Sequence, residues 1–376
     1  MSNHYDYIIC GAGAAGLSLA VRLANSEKSV LIIDPDPKDK NDRTFSFWKN
    51  KPSFFDNIIA KTWPKLIFNS DKTHIDLEMG SYTYNMIRGI DFYKHCKNII
   101  EKSSNILLKR EKIEQISESD EVVTVQTDQA SYNCEYAFKS FIKKDIDFSK
   151  SQFVIQHFLG YEVECASGTF EEDTAIFMDF SIDQDNETRF MYVLPSNDRE
   201  ALIELAIFSN DIPDETFYKK IIDDYIKNNL GINSFKIKAI EIGQIPMTNY
   251  SFKTKSKSKI VPIGTAAGAV KPSSGFAFHR IQEHLDELLK CLQNNIHPNK
   301  ASKVFRPRFK LYDSVFLNAI LTGKTTGKEA FTEMFKKSPA HLMFKFLDEK
   351  THFHEEFKVF LGPPMWPFTK AFFEEL

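Results

Sequence analysis

Two acids and one glycine run carry residue types able to do chemistry. Glu204 stands in the run Ala201-Leu202-Ile203-Glu204-Leu205-Ala206-Ile207-Phe208, and Asp179 closes the run Ala175-Ile176-Phe177-Met178-Asp179. A carboxyl among apolar neighbours such as Ile203, Leu205 and Ile207 loses hydration, holds its proton more tightly and becomes an acid usable at neutral pH. The same spacing also fits a strand whose glutamate faces water, and Asp179, two residues before Ser181, equally fits a strand-end turn. The glycine run is Gly11-Ala12-Gly13-Ala14-Ala15-Gly16. It follows a short apolar run at 5–10 and precedes an Ala- and Leu-rich stretch at 17–25, then Val30-Leu31-Ile32-Ile33 and Asp34. Strand, G-x-G-x-x-G, helix, strand, acid is the order of a dinucleotide-binding βαβ unit. Small residues let the backbone approach a pyrophosphate, the helix N-terminus offers free N–H groups, and Asp34 accepts ribose hydroxyls.

Other elements must hold these groups together. A second glycine-rich strand–turn–helix follows late in the chain: Ile260-Val261-Pro262-Ile263, then Gly264-Thr265-Ala266-Ala267-Gly268, then a helix opening at Gly275 and running to about Leu292. No second G-x-G-x-x-G occurs, so one dinucleotide is expected, and an N-terminal site in a chain of this length favours FAD over NAD. The late turn suits the isoalloxazine or ribityl end. Residues 105–127 predict strands and a hairpin. Three strand-like runs at 175–178, 190–194 and 201–208, separated by polar turns, predict an antiparallel meander, and 216–229 predicts an amphipathic helix ending near Gly231. From residue 301 the pattern is helical and Phe-rich.

Composition excludes several classes. The 376 residues are 42% hydrophobic and 26% charged with a net charge of -3, which argues against a dedicated nucleic-acid binder. The first residues lack the pattern of a signal peptide, and no apolar run is long enough for a transmembrane helix. Five scattered cysteines without a CxxC fit a reduced chain and no zinc site. His352 and His354 beside Glu355 and Glu356 have no further ligands at helical spacing, so no metal is expected. The lysine-rich run 253–259 predicts a solvated hairpin turn, with contact to membrane phosphates as the other reading. The 34 phenylalanines exceed what packing alone demands; they fit either a Phe-rich version of an ordinary core or an apolar surface or channel.

Several longer motifs carry a family resemblance. Asp42-Arg43-Thr44-Phe45-Ser46-Phe47-Trp48 resembles the DRTWCFW segment of lycopene cyclases. The run 86–93 around Arg88, Phe177-Met178-Asp179, Phe190-Met191-Tyr192-Val193-Leu194-Pro195, Leu202-Ile203-Glu204 and Ile245-Pro246-Met247 resemble further segments of that family. So does the run 264–276, beside the family's GTAGGxxKPSTGY. The resemblance runs in order from residue 6 to about 317. One departure is Leu205-Ala206, where the family commonly has a polar or acidic residue and then Thr.

The resemblance implies an α/β (α+β) fold of the para-hydroxybenzoate-hydroxylase type. Its FAD-binding Rossmann-like part would comprise 1–80, 96–160 and 246–300. An excursion at 81–95 and the region 161–245 would form the antiparallel substrate-binding part, and 301–376 a helical, membrane-facing region. The resemblance further implies non-redox cyclisation of lycopene ψ-end groups to β-rings, with reduced FAD and NAD(P)H as a candidate electron donor. Glu204 would be the acid and Asp179 a deprotonating or orienting group. Gly11, Gly13, Ala14, Ala15, Gly16, Asp34, Gly264, Thr265, Ala266 and Gly268 would form the cofactor site, with Arg43 and Arg88 on flavin phosphate or ribityl oxygens. Phe45, Phe47, Trp48, Phe276 and Phe278 would line the substrate and face a cation. The expected partners are lycopene and membrane lipid, met as a peripheral protein on the cytoplasmic face. The Phe-rich segments 331–346 and 353–373 would supply that surface. A flavin monooxygenase, a prenyl-chain reductase and a non-catalytic carotenoid- or lipid-binding protein are the alternatives. Gly264-Thr265, in place of Gly-Asp, speaks against the first.

Overall fold

The computed structural model describes residues 3–142, 146–252 and 255–375. The dinucleotide-binding unit forms as its sequence predicts. Parallel strands Ile106–Lys109, Val30–Ile33, His4–Cys10 and Ser131–Lys139 lie side by side in that order. Every residue of Val30–Ile33 is buried because both faces of the sheet are covered. Alternate side chains sort to the two sides: Ile9, Val30 and Ile32 pack under helices, while Ile8, Leu31 and Ile33 pack with Val123 and Val125 of the hairpin. That hairpin, Ile113–Glu118 with Val123–Thr127, joins antiparallel to the first half of Ser131–Lys139. Ile260–Pro262 adds in parallel to its second half.

The second sheet is mostly antiparallel. Its order is Lys236–Thr248, Phe153–Glu164, Glu200–Ser209, Thr188–Pro195, Thr174–Asp179, Lys65–Ser70 and Thr73–Leu77. The expected meander is its centre. Period-two alternation sends Ile203, Leu205 and Ile207 against the helix Glu215–Asn228. Leu202, Ala206 and Phe208 face the opposite side, under the C-terminal helices. A three-stranded sheet of Thr44–Lys49, Thr83–Arg88 and Lys61–Trp63 joins the two halves.

Three sequence expectations are adjusted. The first helix spans Ala14–Leu23, three residues earlier than expected, because the small Ala14, Ala15 and Gly16 fit its crowded first turn. The late helix starts at Phe278, not Gly275, since Gly275 has φ +72° and ends a turn. The strands Phe153–Glu164 and Lys236–Thr248 were not anticipated at all. The C-terminal region is helical: Pro307–Leu321, Gly327–Lys337, Ala340–Leu347, Phe353–Phe360 and Met365–Glu375. No helix among the described residues is long and apolar enough to cross a membrane.

Candidate active site

The glycine run turns the first strand into its helix at close quarters. Gly11 has φ +103°, and a Cβ there would meet Ser140 Oγ at 2.3 Å; a Cβ on Gly16 would meet the Gly11 carbonyl at 1.9 Å. The helix N-cap, Gly13, offers no side-chain cap, so N–H groups of the first turn stay free toward the cavity that Gly13, Ala14 and Ala15 line. Asp34 accepts the Ala12 N–H at 2.6 Å, fixing the loop against the second strand. Gly264, at φ +58°, comes so close that its Cβ would lie 2.7 Å from the Ala15 Cβ. The two glycine turns therefore meet, and Gly264 and Thr265 line the same cavity. Ala266 is buried, and Gly268 lines a separate pocket with Tyr250, Phe252 and Arg280.

This cavity, about 440 Å³, runs from the glycine turns to the antiparallel sheet, where Glu204 forms part of its wall. Ile203 and Leu205 do not enclose the acid, as the sequence suggested; they point to the other face. Leu202, Tyr192 and Tyr84 stand near it, and Leu194, Phe158 and Phe276 line the same cavity. Among the described residues no side chain donates a hydrogen bond to Glu204, and burial, followed by the charge of Glu241, pushes its carboxyl well above the usual range.

Glu241 escaped sequence reasoning. It sits on the edge strand Lys236–Thr248, only 4% exposed, while the flanking Ile240 and Ile242 are 41% and 50% exposed. Alternation in the sequence would put the isoleucines inside and the charge outside, so long-range register, and no local signal, brings Glu241 into the wall. Thr44 donates to Glu241 from its N–H at 2.7 Å and from its hydroxyl at 2.6 Å. Gly160 on the intervening strand is in register with Glu204 on one side and with Glu241 on the other. Gln156 Oε1 and Ser274 Oγ, both buried without a partner among the described residues, belong to residues that line the same cavity.

The other expected residues divide. Arg43, Phe45, Phe276 and Phe278 line the cavity; Arg43 is held by Asp42 at 2.7 Å. Arg88 does not: it pairs with Asp91 at 2.6 Å and borders a separate surface groove, so the register of its strand takes it away from the cofactor loops. Phe47 and Trp48 are packed behind the wall. Phe47 lies against Phe278, and Trp48 stacks on Phe344 and donates its indole N–H to Asp348 at 2.8 Å. Asp179 also lies elsewhere. It falls on the helix-covered face of the sheet, where its carboxylate accepts the Tyr225 hydroxyl at 2.7 Å and the Ser181 N–H at 2.8 Å. A carboxylate so engaged on the opposite face cannot orient or deprotonate anything in the cavity. The histidine–glutamate cluster at 352–356 is a helix start: Glu355 accepts the His352 N–H, and Glu356 is taken by Arg308 and Tyr312. In the lysine-rich run, Lys253 and Thr254 lie outside the described residues; Ser258 and the Lys259 N–H bind Glu118.

Beyond Phe276 lies a second cavity of about 570 Å³, almost wholly apolar, which shares Ser274 and Phe276 with the first. Phe177 stacks parallel to Phe276 there, with Phe316, Phe331, Phe335 and Phe346 farther along its lining. The 331–346 segment is thus interior, not surface, because its rings fill the space between the sheet and the last helices. The 353–373 segment does reach outside: Phe353, Phe357, Met365, Trp366 and Phe373 are exposed, and Met365 and Phe373 also line the cavity.

The residues fit FAD on three counts: free N–H groups at a helix start beside close glycine turns, two buried polar atoms unpartnered among the described residues, and an acid at the second strand's tip. Residues 6–372 match the family model described as "Lycopene cyclase protein". The chain has the fold of a geranylgeranyl bacteriochlorophyll reductase-like protein of Thermoplasma acidophilum (TM-score 0.65, 15% identity, 99% of each chain). It is similar in the same way to a p-nitrophenol 4-monooxygenase of Pseudomonas putida (TM-score 0.63, 14% identity, 100% of this chain and 98% of that one). A GMC-type oxidoreductase of Aspergillus aculeatus is 48% identical over 46 residues, 12% of this chain and only 9% of that protein's length.

Proposed function

This chain belongs to the lycopene cyclase family, and on that footing we propose that it closes the ψ-end groups of lycopene into β-rings, giving γ-carotene or β-carotene. The observation that carries the reading is the place of Glu204: a carboxyl without a hydrogen-bond donor among the described residues, on the wall of the cavity that the glycine turns line, one phenylalanine away from an apolar cavity. A desolvated carboxylic acid keeps its proton at neutral pH and delivers it to an apolar double bond lying against it. The proton leaves Glu204 for the terminal C=C, the resulting cation is attacked by the neighbouring double bond, and loss of one ring proton completes the β-ring. Leu194, Leu202 and Phe158 keep water from trapping the cation as an alcohol. Phe276 and Phe45 offer aromatic faces to it, an attraction worth about 0.5–2 kcal/mol each.

FAD is the cofactor this reading assigns to the glycine turns, and when bound in its reduced form it supplies negative charge near the cation. Asp34, Gly11, Gly13, Ala14, Ala15 and Gly16 would hold its nucleotide end, and Gly264, Thr265, Arg43 and Gln156 its flavin end. NAD(P)H is the proposed source of electrons. The polyene would enter through the apolar cavity from a membrane surface on which the exposed rings of 353–373 rest, the protein being peripheral.

The test is anaerobic incubation of the purified protein with lycopene in liposomes and FAD reduced beforehand by dithionite. Cyclic carotene formed with no loss of reduced flavin is the expected outcome. Flavin oxidation in step with a reduced chain would make the protein a prenyl-chain reductase, and an oxygen-dependent hydroxylated product would make it a monooxygenase. Substitution Glu204→Gln is expected to retain FAD and form no rings.

A further inference from the structure

The proposed reaction needs one acid, yet the cavity wall carries two carboxyls. Glu204 and Glu241 lie on the two strands that flank Phe153–Glu164, each in register with Gly160. Gly160 has a structural reason to lack a side chain. A Cβ there would meet Leu202 Cδ1 at 2.8 Å and Glu204 Cβ at 3.2 Å. The bare position leaves nothing between the two carboxyls from the strand that separates them. Their surroundings differ sharply. Burial pushes the Glu241 carboxyl above its ordinary range too, but less than that of Glu204, because two donors from Thr44, one on each oxygen, stabilise its charged form. Glu204 receives none among the described residues and stands among Leu202, Tyr192 and Phe158.

We propose that Glu241 is a positioning residue: its carboxylate, clamped by Thr44 and facing Glu204 across the side-chain-free Gly160, is the fixed negative charge that keeps Glu204 in its proton-donating form. Two like charges in one low-dielectric wall cannot both persist, so a single proton is held by the pair, and the Thr44 donors assign it to Glu204. The same charge returns the pair to its starting state. After Glu204 gives its proton to the terminal C=C, two adjacent anions remain. The ring C–H bond then breaks, its electron pair becomes the ring double bond, and its proton restores Glu204. Atoms and electrons balance with no oxidant or reductant consumed.

The charged and titratable groups facing the pair come from every element around it. Tyr192 from Thr188–Pro195 and Tyr84 from Thr83–Arg88 face Glu204, and both phenols are pushed upward, first by burial, so they stay neutral. Arg43 and Glu162 act on Glu241 with opposite signs, and Arg43 is already paired with Asp42. Glu241 is therefore the charge that acts directly on Glu204.

This inference rests on the cyclase reading for its role in turnover, so the experiment has two independent readouts. The first is the pH dependence of ring formation by the wild type, Glu241→Gln, Glu241→Asp and Thr44→Val. The second needs no substrate: the carboxylic-acid C=O band in difference infrared spectra of the FAD-loaded protein, assigned by its loss in Glu204→Gln, followed as pH rises. Gln keeps the size of Glu and an acceptor for the Thr44 N–H, and retained FAD binding verifies its fold. The expected result for Glu241→Gln is an alkaline limb moved down by about one pH unit, read as about a tenfold loss at a fixed pH on that limb, with the acid band vanishing at correspondingly lower pH. Thr44→Val moves both in the same direction by less, and Glu241→Asp restores most of the shift. An unmoved limb and an unmoved band in Glu241→Gln overturn the proposal. A wild type that forms no rings but whose acid band shifts in Glu241→Gln overturns the cyclase reading and supports the pairing.

Discussion

At the scale of single residues, the proposed function rests on a difference between carboxyls that look alike in the sequence. Glu204, Glu241 and Asp179 all lie on strands of one sheet, and each is defined by what its oxygens meet. Asp179 meets the Tyr225 hydroxyl and the Ser181 N–H on the helix-covered face, so its work is structural. Asp179→Asn is expected to cost about 1–3 kcal/mol of stability, seen as a lower thermal midpoint, while ring formation per folded molecule stays unchanged. Loss of activity without loss of stability would return Asp179 to the chemistry. Glu204 is the reverse case, and its sign can be worked out. Its folded-state pKa is raised above the ordinary 4.5 by burial, so folding retains a proton that the unfolded chain releases once pH exceeds that value. Its contribution is fully present below pH 4.5 and is lost as pH rises through the folded-state pKa. The Glu204→Gln variant, which has no charge to bury, is thus expected to gain stability relative to the wild type as pH rises from 5 to 9, measured by urea unfolding at a series of pH values. A pH-independent difference would mean that Glu204 is not desolvated.

At the scale of elements, the legible parts were those whose signals are local. The strand–glycine–helix–strand unit and the meander declare themselves within a few dozen residues, through runs of apolar residues and the turns between them. The acid at 204 was found through its motif, although its neighbours in sequence turned out to face the wrong side. The other wall of the cavity was not legible. Phe153–Glu164 and Lys236–Thr248 bring Gly160 between two glutamates by long-range register, which no window of sequence contains. Arg88, Phe47 and Trp48 lie in a segment resembling the family, but strand alternation and helix packing turn them out of the cavity. The element-level test is Gly160→Ala. The added methyl meets Leu202 and the Glu204 stem, and overpacking of this kind costs about 1–3 kcal/mol. Ring formation should fall more than stability predicts, because the displaced side chain is the acid itself. Wild-type turnover in this variant would show that the spacing across Gly160 is irrelevant.

At the scale of the molecule, the Phe excess is divided between two duties. Most of the rings in 331–346 fill the interior and line the apolar cavity. Of those in 353–373, Phe353, Phe357, Phe360 and Phe373 lie outside, with Trp366 80% exposed at the helix that borders the cavity. Sequence composition pointed to a greasy task but could not separate lining from surface. A triple substitution of Phe357, Trp366 and Phe373 to Ser should abolish sedimentation with liposomes, since fully burying one such ring is worth about 1.5–3 kcal/mol, while FAD binding is unaffected. Equal sedimentation of variant and wild type would place the docking surface elsewhere. All these pieces serve one claim, that a proton from Glu204 starts ring closure and no electrons are spent. Its most direct measurement is the isotope content of the product formed anaerobically in D2O with reduced FAD. With the Glu204 carboxyl exchanging its proton with solvent before each closure, the account predicts one deuterium retained in each new ring, reduced flavin undiminished, and no product from Glu204→Gln. Rings without deuterium, or a chain gaining hydrogen as flavin is oxidised, would contradict it.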